Sequence, residues 1–173
     1  MPKTASPWLG LDSLQSKSVF NQIVFNNMSR PSKTAEWQRQ NEEFYELLER
    51  DPSLSKLTKG VYFRPMQPGE GESEEAVVRH TSEQPKASSV VTCHYKGQLI
   101  DGRVFDNSWS ESTPVAFRVR ELIDGFQAAL MAMHVGDHWL VYIPWNHGYG
   151  KVNCGPIPGH STLIFEILLV GIA

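Results

Sequence analysis

The stretch VTCHYKGQLIDGRVFDNS, residues 91–108, decides the fold of this chain. Apolar and polar side chains alternate over residues 91–97, which is the two-residue period of a half-buried strand. Asp101 and Gly102 then give a tight-turn signal, and the chain becomes apolar again up to Phe105. The stretch therefore predicts an antiparallel hairpin with one face directed toward a core.

More strands and a single short helix are predicted around this hairpin. The strands are expected at residues 60–64, 115–119, 139–143 and 162–172. Ahead of Gly136, four apolar residues at helical spacing predict one helix: Leu122, Phe126, Leu130 and Met133. Many strands with one packed helix are typical of an α+β fold.

A further helix is predicted before the sheet. Thr34 is a suitable N-cap, and aromatic and aliphatic residues recur at helical spacing as far as Leu48. The helix is expected to stop at Asp51, because Pro52 disfavours helical geometry in the residue before it.

The chain is accordingly divided into an N-terminal helical extension, residues 1–56, and a main domain, residues 57–173. We expect the two parts to have separate roles. Three roles remain open for the extension: packing on the main domain, dimerisation with a second copy, or gripping a client polypeptide.

Composition excludes several classes of protein. With 40% hydrophobic residues among 173, the chain is typical of a globular protein. The formal net charge is −3 and no basic stripe is present, which argues against nucleic acid as the main partner. No apolar run approaches the roughly 18 residues of a membrane span.

No cofactor or metal is expected from the sequence. Gly69 and Gly71 lack the third glycine of a dinucleotide-binding motif. His134 and His138 lie four residues apart, but Gly136 interrupts the helix that would place them on one face.

Four segments, in this order and near the usual spacing, resemble the FKBP-type peptidyl-prolyl cis-trans isomerases over residues 57–173. They are VTCHYKGQLIDGRVFDNS at 91–108, ELIDGFQAALMAMHVGD at 121–137, VYIPWNHGYG at 141–150 and IPGHSTLIFEILLV at 157–170. The resemblance implies an FKBP-like fold, a twisted antiparallel sheet wrapped around one short helix. It also implies isomerase activity on proline-containing unfolded or partly folded polypeptides, without a cofactor, and binding of macrolide inhibitors.

The resemblance also implies which residues form the site. The catalytic set is Tyr95, Phe105, Asp106, Ile123, Phe126, Tyr149 and Phe165. The substrate-binding set is Val115, Phe117, Leu122 and Ile157. Within these sets, the Tyr149 hydroxyl and the Ile123 amide are expected to donate hydrogen bonds to the peptide, and Asp106 to hold Tyr95 or to orient the carbonyl.

Some positions depart from the family's usual residues. Phe126 stands where a Trp is usual, Val115 where many members have a bulky aromatic, and Glu111 where a basic residue is familiar. His147 replaces a Tyr. These departures leave an alternative open: a chaperone or binding module that keeps the fold but has weak or no isomerase activity.

The N-terminal extension is loosely similar to the arm of bacterial members of the family. Such members are often exported to the periplasm or tethered to the envelope, so the expected compartment is the periplasm or envelope, with a signal removed. Cytoplasmic residence is the alternative, because residues 1–15 lack the apolar core of a signal peptide. A homodimer through the N-terminal helix is a further expectation.

Overall fold

The computed structural model describes residues 32–67, 70–71, 80–111 and 113–173. Helix α1 spans Lys33–Arg50 and the shorter helix α2 spans Asp124–Ala132. Within these ranges there are seven strands: β1 (Ser55–Lys56), β2 (Tyr62–Pro65), β3 (Val90–Leu99), β4 (Val104–Asn107), β5 (Val115–Arg118), β6 (His138–Ile143) and β7 (Leu163–Ile172).

These strands form one antiparallel sheet, in which six of them follow the order β1-β2-β6-β7-β3-β4 and β5 lies off this path. Strand β5 pairs with the first half of β3, whereas β4 pairs with its second half. The two longest strands, β3 and β7, pair at the centre of the sheet, with Tyr95 opposite Ile167 and Gly97 opposite Phe165. The expected α+β fold is confirmed.

Helix α2 packs on the inner face of the sheet and closes the main core. Phe126, Ala129 and Leu130 are buried on the side of the helix that faces the sheet. Gly125 allows the close approach, because a Cβ at this position would lie 2.3 Å from Cγ2 of Ile143 on β6.

Helix α1 covers part of the outer face of the same sheet. Leu48 is fully buried in a second cluster with Tyr62, Leu140, Tyr142 and Ile164. Strand β7 is therefore buried on both faces, since Ile164 joins this outer cluster and its neighbour Phe165 joins the main core. The described part of the extension thus packs on the main domain, whereas dimerisation and client binding stay predictions.

Two helix boundaries differ from those expected. Helix α1 is capped by Ser32, whose hydroxyl accepts a hydrogen bond from the Ala35 amide, and Thr34 lies inside the first turn. Helix α2 begins only after Ile123, so Leu122 precedes the helix and Met133 is its C-cap. Both outer residues of the helical pattern thus lie beyond the helix that they were expected to share.

Candidate active site

A pocket of about 230 Å³ opens between the inner face of the sheet and the start of α2. Most of its lining is aromatic or aliphatic. The lining residues are Tyr95, Phe105, Asp106, Phe117, Glu121, Leu122, Ile123, Phe126, Tyr149 and Phe165. All seven residues of the expected catalytic set therefore meet in one pocket, together with Phe117 and Leu122 of the expected substrate-binding set.

The floor of the pocket is a group of aromatic rings in edge-to-face contact. The ring of Phe126, only 4% exposed, lies 5.0 Å from that of Phe165 at an interplanar angle of 83°. Tyr95 meets Phe126 at 6.0 Å and 90°. Such contacts place ring edges against ring faces and fix the orientation of each ring. Phe126 thus provides an apolar floor without an indole N–H.

Gly97 on β3 makes room for this aromatic group. A Cβ at this position would lie 2.6 Å from the ring of Phe105 and 2.7 Å from that of Phe165. The two rings meet edge to face at 5.6 Å directly over the glycine. The absence of a side chain at one strand position therefore defines one wall of the pocket.

The polar groups of the pocket are few and lie at its mouth. The Tyr95 hydroxyl donates a hydrogen bond to Oδ2 of Asp106 at 2.6 Å. Burial, and then this bond to a carboxylate, raise the pKa of the Tyr95 phenol. The phenol consequently keeps its proton at neutral pH and holds the Asp106 carboxylate in place.

Tyr149 reaches the pocket from the loop between β6 and β7, residues 144–162, here termed the Tyr149 loop. Its side chain is 41% exposed, so the hydroxyl can meet both the pocket and a ligand at the mouth. Burial of the ring, followed by the nearby Cys154 and Asp106, raises the pKa of Tyr149. This hydroxyl is therefore a hydrogen-bond donor at neutral pH.

A second donor lies where α2 begins. Ile123 is the N-cap residue of α2, and no acceptor among the described residues takes a hydrogen bond from its backbone amide. The side chain of Gln127 donates to the Leu122 carbonyl at 2.6 Å, and this carbonyl belongs to the same planar peptide group as the Ile123 N–H. The Ile123 amide is thus held in a fixed direction with its hydrogen available.

The pocket does not include two residues of the expected substrate-binding set. Val115 is half-buried on β5 opposite Cys93, outside the lining, and Ile157 is buried in the main core. Sequence reasoning did not single out Glu121, which lines the rim, or Gln127, which orients the peptide before Ile123. The signal that could have indicated both residues is their position in the segment 121–137, which is one of the four segments that resemble the family.

Two further positions that depart from the usual family residues, Glu111 and His147, are not part of the pocket lining. Glu111 is exposed and, in the described part of the chain, no basic side chain is paired with Asp106. His147 lies 3.5 Å from Oδ2 of Asp124, in the first turn of α2, and Lys59 lies 3.2 Å from the same atom. Lys59 first, and then His147, lower the pKa of the Asp124 carboxyl. His147 therefore helps to fasten the Tyr149 loop to the helix.

The two cysteines are free thiols in different surroundings. Cys93 lies on the inner face of β3 and is fully buried, and burial raises its pKa to about 12. Cys154 is exposed on the Tyr149 loop.

Within the described ranges, no three His, Cys, Asp or Glu side chains are grouped closely enough to hold a metal ion. None of the described helices is both long and apolar enough to cross a membrane.

Comparison with known proteins gives a consistent result. The family model described as FKBP-type peptidyl-prolyl cis-trans isomerase matches residues 81–170. The peptidyl-prolyl cis-trans isomerase Mip of Coxiella burnetii is 32% identical over 122 residues, which cover 70% of this chain and 48% of that protein. The outer membrane protein MIP of Legionella longbeachae is 31% identical over 166 residues, covering 91% of this chain and 66% of that protein. The chain thus spans about half to two thirds of the length of these relatives.

A solved structure shares the fold as well. The crystal structure of a peptidyl-prolyl cis-trans isomerase from Pseudomonas syringae pv. tomato aligns with a TM-score of 0.68 at 27% identity. The alignment covers 84% of this chain and 99% of that one. The family match extends over more than half of the chain and includes every residue that lines the pocket, so the chain belongs to the FKBP-type peptidyl-prolyl cis-trans isomerase family.

Proposed function

We propose that this chain is a peptidyl-prolyl cis-trans isomerase that accelerates rotation about X–Pro bonds in folding polypeptides. The observation that carries the proposal is the aromatic pocket of about 230 Å³, with hydrogen-bond donors only at its edge. Its size and apolar floor suit a proline ring, and family membership supports the same activity. The catalytic and substrate-binding sets remain proposals within this function.

The reaction requires no covalent intermediate. Its barrier of about 18–20 kcal/mol is the loss of amide resonance as the C–N bond twists. The twisted amide is less polarised than the planar one, so it loses less when it leaves water for an apolar pocket. The rings of Phe126 and Phe165 provide such surroundings and bind the twisted form in preference to the planar form.

The donors at the mouth have a positioning role in this mechanism. The Tyr149 hydroxyl and the Ile123 amide hold peptide carbonyls, so that the proline ring stays on the floor while its imide bond turns. Asp106 orients Tyr95 through their hydrogen bond and acts as neither acid nor base. About 5 kcal/mol of preferential binding gives several thousandfold acceleration, at 1.36 kcal/mol per factor of ten.

A peptide assay tests the proposal. The cis-to-trans rate of a proline tetrapeptide is measured with the wild-type chain at micromolar concentration. Phe126→Leu shortens the floor, and Met131→Ala is its matched control, because Met131 lies on the same helix but is 39% exposed. We expect wild-type acceleration, a loss of about tenfold or more in Phe126→Leu and no change in Met131→Ala, since about 1.4 kcal/mol corresponds to tenfold.

The proposed function fails if wild-type chain leaves the uncatalysed rate unchanged. That spontaneous rotation takes roughly 10–100 s at 25 °C, so even modest catalysis is measurable. Equal losses in the two variants would place the activity outside the pocket.

A chaperone that holds clients with little turnover is the second candidate. It is favoured by two exposed apolar side chains on elements that also carry pocket residues, since Val152 on the Tyr149 loop is 77% exposed and Val104 on β4 is 49% exposed. The variant that tests this candidate carries two changes, Val152→Ser and Val104→Thr, which make both exposed side chains polar. Reduced suppression of client aggregation at full peptide-isomerase activity would support a separate client surface, and unchanged suppression would count against it.

The remaining expectations are part of the same proposal. The division at residues 56 and 57, the homodimer through α1 and macrolide binding stay predictions. Sedimentation of the full chain tests the dimer, and inhibitor titration in the peptide assay tests macrolide binding.

For the compartment we propose the cell envelope, because one relative is itself named an outer membrane protein. Fractionation of expressing cells distinguishes this from the cytoplasm.

A further inference from the structure

Helix α1 makes specific polar contacts with the end of the Tyr149 loop, where the chain enters β7. The indole N–H of Trp37 donates to Oγ of Ser161 at 3.0 Å, and the Ser161 hydroxyl donates onward to the Pro158 carbonyl at 2.6 Å. The amide oxygen of Asn41 accepts from the backbone N–H of Thr162 at 2.7 Å. Helix α1 thus makes hydrogen bonds to two of the last five residues of the loop, and Ser161 extends the first of these to Pro158.

Asn41 stands out because it is polar and only 1% exposed, whereas the other buried residue of this helix is Leu48. Its amide nitrogen donates to the Trp37 carbonyl at 2.9 Å, which fixes the direction of the amide group. Thr162 is also 1% exposed and Ser161 3%. A buried polar group destabilises a fold unless it is paired, so this set specifies one position of helix against loop.

The loop transmits that position toward the pocket. The Trp145 carbonyl accepts from the amide of Gly150, and the Gly150 carbonyl accepts from the amide of His160, each at 2.9 Å. The two limbs of the loop pack so closely that a Cβ on Gly159 would lie 2.0 Å from the Lys151 carbonyl oxygen. A shift at residues 158–162 must therefore move residue 150 and its neighbour Tyr149.

We propose that Trp37 and Asn41 of the N-terminal helix are positioning residues for the isomerase site. They fix the returning limb of the Tyr149 loop, and through it the Tyr149 hydroxyl at the pocket mouth. The inference rests on the proposed function for its kinetic consequence, whereas the link between helix and loop is a property of the fold alone. Helix α1 accordingly positions the Tyr149 loop in addition to packing on the outer face of the sheet.

Two substitutions in the full chain break the link while keeping a side chain of related shape. Asn41→Leu removes the acceptor for the Thr162 amide, and Trp37→Phe keeps an aromatic ring but removes the donor to Ser161. Amide hydrogen exchange at Gly150, His160 and Thr162 reports the loop, and kcat/KM on a proline tetrapeptide reports the site. We expect exchange about tenfold faster and kcat/KM about tenfold lower, because small misplacements of binding groups cost one to two orders of magnitude.

Leu48→Ala is the matched control. Leu48 lies on the same helix and is fully buried, but it packs in the outer cluster with Tyr62 and Tyr142. We expect this variant to lower Tm at least as much as the other two while leaving loop exchange and kcat/KM at wild-type values. If all three variants change exchange and kcat/KM in proportion to their loss of Tm, the helix is merely structural and the proposal is overturned.

A third variant remains informative should Asn41→Leu fail to fold. In Asn41→Asp, a protonated carboxyl offers the same acceptor to Thr162 and the same donor to the Trp37 carbonyl, whereas the carboxylate has no donor. We expect wild-type kcat/KM at low pH and a drop of about tenfold once the carboxyl ionises, with burial moving that drop above the usual carboxyl range near pH 4. A ratio to wild type that is constant with pH would overturn the proposal.

Ionisable groups beside Asn41 affect both proteins alike in this comparison. The groove of about 560 Å³ between α1 and the loop is lined by five of them: Glu42, Tyr45, Glu46, Lys59 and His147. Taking the ratio to wild type at each pH removes their contribution. If wild type shows no catalysis at all, the proposed function fails while the exchange measurement still decides whether α1 positions the loop.

Discussion

The Tyr95 hydroxyl lies 2.6 Å from Oδ2 of Asp106 and joins the central strand β3 to the edge strand β4 at the mouth of the pocket. The ring of Tyr95 also meets Phe126 and Phe117 edge to face. One side chain therefore belongs to both the apolar floor and the polar rim, and its hydrogen bond fixes the relation between them.

Removing that hydrogen bond should impair catalysis more than stability. We expect Tyr95→Phe to lower kcat/KM about tenfold, because a hydrogen bond to a charged group contributes about 1.5–3 kcal/mol. Tm should change little, since Asp106 is exposed and water replaces the lost donor. Peptide assays and thermal unfolding measure the two effects.

A double-mutant cycle gives the control. If Asp106 acts by holding Tyr95, then Tyr95→Phe combined with Asp106→Asn should be no worse than either change alone. Losses that multiply would show that Asp106 acts on the substrate independently of Tyr95.

Replacing the Tyr149 hydroxyl tests a different contact. Tyr149→Phe keeps the ring at the mouth and removes only the donor, so we expect kcat/KM to fall about tenfold for one lost hydrogen bond of about 1.5 kcal/mol. Because this side chain is partly exposed, Tm should stay at the wild-type value. Wild-type kinetics in this variant would eliminate the proposed role of the hydroxyl.

A methyl group at Gly97 should disturb the pocket from below. Gly97→Ala places a Cβ against Phe105 and Phe165, and we expect a loss of about 1–3 kcal/mol in the free energy of unfolding from overpacking. Peptide affinity should fall with it as the rings move. Gly171→Ala on β7 is the matched control, because a Cβ there meets no atom within 4 Å. Equal effects at the two glycines would argue against the close packing described.

Stability should decrease at alkaline pH. Burial raises the pKa of Tyr45 and of Tyr142 to about 12 each, whereas a tyrosine in the unfolded chain titrates near about 10. Above that value the unfolded chain releases protons that the folded chain retains, so unfolding becomes more favourable as pH rises. We expect the free energy of unfolding to be unaffected by these groups below about pH 9.5 and to fall above about pH 10.

Denaturant titrations at a series of pH values measure this fall. Tyr142→Phe removes one of the titrating groups and should make the alkaline decrease less steep. A free energy of unfolding that rises above pH 10, or an unchanged slope in Tyr142→Phe, would contradict the prediction.

The fold and most of the pocket were predictable because local signals agree with the global structure. Alternation over residues 91–97 identified the inner face of β3, where Val91 and Cys93 are fully buried. The helical spacing was less reliable at its ends. Leu122 fits the spacing of Phe126, yet the chain is extended there, and the acidic Asp124 marks the true first turn.

Contacts across the sheet could not be read from periodicity. Asn41 and Thr162 are 121 residues apart, and the sequence contains no pattern that pairs them. The helical spacing around Leu48 shows that α1 has an apolar face, but it does not say which side of the sheet that face covers. Ile157 illustrates the same limit, because an apolar residue next to a predicted site can turn into the core instead.

Because only one of the two thiols is exposed, the protein can be labelled with a fluorophore at a single site. A maleimide fluorophore added to the folded protein should react at the exposed Cys154 and not at Cys93, which is fully buried in the main core. The dye would then sit on the segment that bears Tyr149, without any engineered attachment point. Stopped-flow recording of its emission can follow peptide capture and release in real time, separately from bond rotation.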